Sequence, residues 1–80
     1  MNAITRAVHV ALRDAPVSLR EIGRRSAVSH AQLARIVASE RNATPAVAGR
    51  VADALDKIGA ECVTGAARVR RSLTSHKGRK

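Results

Sequence analysis

The sequence predicts an all-α protein, a compact four- to five-helix bundle with a basic C-terminal tail. Three observations point there. Aliphatic residues recur at helical rather than alternating spacing along most of the chain. Ser and Thr stand in front of these stretches in patterns that cap helices. The 80 residues include no Phe, Tyr or Trp, so the core must be assembled from Leu, Ile, Val and Ala. A chain of this length forms one domain with a small core and little stability to spare.

The first helix is expected over about residues 3–14, where Ile4, Val8 and Leu12 form one apolar stripe with Ala7, Ala11 and Ala15 beside them. Pro16 ends it, because the residue before a proline is disfavoured in the helical region. The second begins at Ser18, whose "SLRE" is a capping box: the hydroxyl accepts from the backbone three residues on, and Glu21 reaches back to the Ser18 N–H. Leu19 and Ile22 point inward there, and Arg20, Arg24 and Arg25 face water.

Only "AV" separates this helix from a second capping box, "SHAQ", with Ser29 as cap and Gln32 behind it. The third helix therefore starts at about His30 and ends near Ser39, where "SERNAT" is a loop rich in turn formers. Thr44 caps the fourth, with Pro45 at its first position. Val47, Val51, Leu55 and Ile58 are its buried stripe, and Gly59 is expected to stop it. "AECVTG" reads as an extended segment or loop, residues 66–73 as a short basic helix, and the last seven residues as disordered. The chain divides on this reading into a domain at 1–64 and a basic extension at 65–80.

Charge narrows the function. The chain holds 15 Lys and Arg against 6 Asp and Glu, a net +9. Residues 1–64 carry nine basic and six acidic side chains; residues 65–80 carry six basic and no acidic ones. Such a balance attracts DNA, RNA or an anionic membrane surface. The lone Cys62 supports neither a disulfide framework nor a metal cluster and is expected to be a small packing residue. Paired carboxylates, a glycine-rich phosphate loop and a Cys/His set at metal spacing are all missing, so no enzyme activity, metal or cofactor is expected. No apolar run approaches the roughly 18–20 residues of a bilayer span. The N-terminus lacks a signal-peptide pattern, and a cytoplasmic, nucleoid-associated protein is the expectation.

Two capped helix starts joined by so short a corner describe a helix-turn-helix unit at about residues 19–38. Gly23 stands where the helices approach, Ala27 and Val28 form the corner, and Leu33 and Ile36 anchor the second helix. With "ASERNATP" and "VAGRVADAL" following, residues 3–59 resemble the Cro/CI-like, or phage-repressor-like, class of DNA-binding domains. The stretch "VSLREIGRRSAVSHAQLARIV" is also similar to the headpiece of LacI-type repressors. That headpiece has no counterpart of the helix at 3–14, so the Cro/CI-like resemblance is preferred. Two positions depart from the usual pattern. Gly23 stands where alanine is common, and Ala27 where glycine is common, at a cost of roughly 1–2 kcal/mol if the corner is left-handed.

The resemblance implies a sequence-specific regulator of transcription, a repressor, binding double-stranded DNA with the helix at about 30–39 in the major groove. Its base-contacting candidates are His30, Ala31, Gln32 and Arg35; Arg suits guanine and Gln adenine, while alanine permits close approach. Ser29, Arg20, Arg24, Arg41 and Asn42 are the backbone-contacting candidates around it. Arg68, Arg70 and Arg71 add a minor-groove arm or a phosphate tether. A homodimer on an inverted repeat is expected, with half-sites about 34 Å apart or a multiple of that. Residues 55–73 are its expected surface, and a phage or plasmid setting would suit the type. The rivals are a non-specific architectural DNA- or RNA-binding protein, and an antitoxin-like module that binds a protein partner through its C-terminal tail.

Overall fold

The computed structural model describes residues 2–77, in four helices with no strand among them. They are α1 (Ala3–Asp14), α2 (Leu19–Ser26), α3 (His30–Val37) and α4 (Pro45–Lys77). The all-α class is as expected. The number of helices is four, because the expected fourth helix and the short basic one are a single element of 33 residues.

Each helix start is fixed by a side chain that satisfies an otherwise orphaned backbone donor. Asn2 Oδ1 accepts from Thr5 N at 2.7 Å, Ser18 Oγ from Glu21 N at 3.1 Å, and Ser29 Oγ from Gln32 N at 3.1 Å. Thr44 Oγ1 accepts from Val47 N at 3.2 Å ahead of Pro45. The expected second half of the Ser18 box does not form. The Glu21 carboxylate turns to Arg24 and Arg25, where it gains charge-assisted bonds that a neutral N–H cannot match.

The ends differ in kind. Helix α2 closes on Ala27 in the left-handed region, with φ 60°. Helix α3 closes in a Schellman motif: Ser39, at φ 63°, donates to Ile36 O, and Glu40 donates to Arg35 O at 2.8 Å. Helix α4 does not stop at Gly59. That glycine is not left-handed, and a Cβ built on it would meet nothing within 4 Å. It is a poor helix former within a helix, at about 1 kcal/mol relative to alanine, and nothing there diverts the chain. The helix therefore crosses 64–65 unbroken and includes residues 74–77, expected to be disordered; residues 78–80 of that tail lie outside the described residues.

The core joins Val8 and Leu12 of α1, Ile22 of α2, Val28, Leu33 and Ile36, Ala43, and Val51 and Ile58 of α4. Val47 and Leu55 pack at its edge. Ile4 does not belong to it, being 41% exposed. The buried stripe of α1 is Thr5, Val8 and Leu12, because the Thr5 hydroxyl accepts from the buried Ala43 N–H at 3.0 Å. That bond ties the first helix to the loop before α4. A second tie joins α1 to the end of α3, where His9 Nδ1 lies 3.5 Å from Ile36 O. Cys62 is exposed rather than packed, since the core ends one turn earlier at Ile58. Beyond Glu61 the remaining turns of α4 project from the bundle, and the molecule is 58 Å long against 21 and 19 Å across.

Candidate nucleic-acid interface

The corner between α2 and α3 is built by three small residues. A Cβ on Gly23 would lie 2.8 Å from Val28 O and 3.2 Å from His30 N, so only glycine allows the start of α3 to sit this close to α2. Ser26 is buried, and its hydroxyl accepts from Val28 N at 3.3 Å while lying 3.5 Å from Gly23 O. Ala27 supplies the left-handed turn. Val28, 5% exposed, then plugs the core under the corner.

This corner sets which side of α3 faces out. Leu33 and Ile36 are fully buried and Val37 half-buried. His30, Ala31, Arg35 and Ala38 are exposed, and Gln32 and Ala34 are half-buried beside them. The four residues expected to reach base edges therefore lie on the outward side of one helix, with Gln32 the most recessed. No Asp or Glu occurs between Glu21 and Glu40, so the whole of α3 is free of acid. Ser29 spends its hydroxyl oxygen on the cap of this helix, which leaves its O–H available to a further acceptor.

The flanking polar residues divide. Arg20, Arg41 and Asn42 are exposed. Arg24 is exposed and held on Glu21, with Nη2 to Oε2 at 2.5 Å. An exposed pair of this kind contributes little, so a phosphate can compete for the guanidinium. Arg25 does not face water as expected. Its side chain is 24% exposed and bridges two carboxylates, Glu21 at 2.8 Å and Glu61, whose Oε1 lies 2.6 Å from Nη2. The guanidinium fork is a bidentate match for Glu61. The bonds from Arg24 and Arg25 hold the Glu21 carboxyl down at about 2, and the Arg25 guanidinium holds that of Glu61 below its usual range.

Sequence reasoning missed this brace, along with Thr5, Ser26 and the cap at Asn2. Arg25 and Glu61 are 36 positions apart, and no local pattern links them. Asn2 and Ser26 did carry a signal, since each is a short polar residue at a helix boundary.

The arm of α4 alters the reading of its arginines. Arg68, Arg70 and Arg71 are exposed and, at about 100° per residue, point in three directions around the helix. They do not make a stripe. A helix about 10–12 Å across is wider than an undeformed minor groove of about 6 Å, so on these turns a minor-groove contact would require the groove to widen, whereas a contact with phosphates would not. The surface concavity beside Ala60, Glu61, Thr64, Gly65 and Arg68 is lined by α4 alone and is open to solvent. No group of three or more His, Cys, Asp or Glu is placed to hold a metal among the described residues. No described helix is long and apolar enough to cross a membrane. No protein-family profile, curated protein or solved structure matches the chain.

Proposed function

We propose that this protein is a sequence-specific double-stranded-DNA-binding regulator of transcription, a repressor acting as a homodimer on an inverted-repeat operator. The observation that carries the reading is the outward face of α3. It is acid-free, it presents His30, Ala31 and Arg35 to solvent beside Gln32, and it is held on a corner with no slack. Alanines let such a helix approach the floor of the major groove, and Arg and Gln have the bidentate geometry that reads guanine and adenine there.

The surroundings suit the same ligand. Arg20, Arg24, Arg41, Asn42 and the Ser29 hydroxyl lie beside α3 in sequence and are exposed, as phosphate ligands must be. The resemblance of residues 3–59 to Cro/CI-like domains, which rests in part on the same residues, supports the reading. Association with the nucleoid follows from DNA binding.

One observation favours a second reading. The net charge of +9, with arginines distributed all round the projecting end of α4, would bind any polyanion, as a non-specific architectural DNA- or RNA-binding protein does. Selection of bound duplexes from a random pool separates the two. The winner is then compared with scrambled duplex at two salt concentrations. An enriched inverted repeat that keeps its advantage at the higher salt is the expected result. Affinity that collapses equally on every duplex would overturn sequence reading in favour of the second. Binding to neither, with retention of an acidic protein on the α4 arm, would point instead to the antitoxin-like class.

A further inference from the structure

The core-facing side of α4 does not end where the core ends. Leu55 and Ile58 are in contact with the bundle, and Cys62, Ala66, Val69 and Leu73 continue the same face of the helix along the projecting arm. At about 100° per residue, these six residues lie within a stripe about 80° wide. On the arm it is largely uncovered among the described residues: Cys62 is exposed, Ala66 half-buried, Val69 60% and Leu73 59% exposed. An isolated helix of this length, with glycine at position 65, is marginal in water. A lone apolar residue on a surface means little, but a stripe in register with the core is the pattern of a helix that packs against another.

Charge identifies the occupant. From Asp53 to Glu61, α4 carries three acidic residues and Lys57; from Cys62 to Lys77 it carries four basic residues and no acidic one. Two arms laid parallel would set Arg68, Arg70 and Arg71 of one beside those of the other. Laid antiparallel, each arginine-bearing end lies toward the partner's acidic base, and the helix dipoles are opposed as well. Small Gly65 and Ala66 near the middle let the backbones approach.

We infer that the arm of α4 is the dimer interface of this protein, pairing antiparallel with the arm of a second copy so that Cys62 lies opposite the partner's distal turns at 69–73. The inference gives the surface and direction of the homodimer in the proposed function, and it holds whether or not α3 reads DNA.

The test needs no DNA. Sedimentation of the full chain is expected to show a concentration-dependent dimer, and the exposed-site double variant Val69→Glu, Leu73→Glu is expected to be monomeric with its helical circular dichroism spectrum retained in the bundle. Direction is read by disulfide trapping under mild oxidation. The chain with its single Cys62 is expected to stay unlinked, since antiparallel pairing holds the two Cys62 residues apart. Val69→Cys or Leu73→Cys, with Cys62 kept, is expected to yield a covalent dimer, and the same variants carrying Cys62→Ser are expected to lose it. A monomer at every concentration would overturn the proposal, as would a dimer untouched by the glutamate variant. A linked dimer in the Cys62→Ser variants would overturn the direction. An inverted repeat selected by a protein whose arm variants still dimerise would leave the DNA reading standing and refute the arm.

Discussion

Ala27 and Gly23 both shape the corner between α2 and α3, and the structure gives each a different physical consequence. Ala27 adopts φ 60°, where its Cβ crowds the following carbonyl. Ala27→Gly removes that strain and is expected to stabilise the fold by about 1 kcal/mol after the glycine's extra unfolded-state freedom is offset. Gly23→Ala is expected to act in the opposite sense. Its gain of about 1 kcal/mol in helix propensity is outweighed by a Cβ 2.8 Å from a backbone oxygen. The corner must then open, for a net loss of about 1–2 kcal/mol. Urea midpoints of the two variants against the parent check both signs. Thr5 is the third case. Thr5→Val keeps the shape but leaves the buried Ala43 N–H without an acceptor, and is expected to destabilise by about 1–3 kcal/mol in the same assay.

Helix α4 shows how an element outruns its local signals. Gly59 suggests a stop, but neither it nor Gly65 is left-handed, and no proline follows. About one turn past Ile58, the last core residue of the helix, Glu61 is seized by Arg25 of α2, which fastens the helix to the bundle beyond the expected end. The carboxyls in this brace titrate lower in the folded protein than in the unfolded chain, Glu21 at about 2 against 4.5, and Glu61 in the same direction. A lowered folded value stabilises above the unfolded pKa and is lost as pH falls toward the folded one. Stability is therefore expected to hold near neutrality and to decline with acidification from 4.5 down to about 2. Glu61→Gln is expected to lower the urea midpoint at neutral pH and to flatten the acid limb. Amide exchange over residues 59–65 is expected to quicken with it. An unchanged acid limb would show that the brace does not contribute.

At the scale of the whole molecule, the bundle and the arm divide the charge between them. The exposed face of α3 offers few long side chains, so each is expected to matter for base choice, whereas the arginines of the arm surround a helix and face no single groove. Arg35→Ala is expected to cost about 1–3 kcal/mol on the selected site and to relax preference at one base pair. Neutralising Arg68 and Arg71, which lie on the side of α4 away from its apolar stripe, is expected to weaken all duplexes alike and reduce the dependence on salt. Binding curves on selected and scrambled duplex at two salt concentrations distinguish them. Equal weakening of every duplex by Arg35→Ala would make that residue a phosphate contact.

What the sequence determined by itself is local. The starts of α2, α3 and α4, the end of α3 near Ser39, the inward Ile22, Leu33, Ile36, Val51 and Ile58, and the outward His30, Ala31 and Arg35 all follow from caps and a 3.6-residue period acting within one or two turns. What the tertiary structure alone decided depends on residues far apart in the chain. The place of Thr5 instead of Ile4 in the core depends on Ala43. The turning of Arg25 away from water depends on Glu61, and the persistence of α4 past Gly59 is helped by that same pair. A cap needs only its neighbours, but a buried hydroxyl or a bridging guanidinium is placed by a partner that the chain meets only once it has folded.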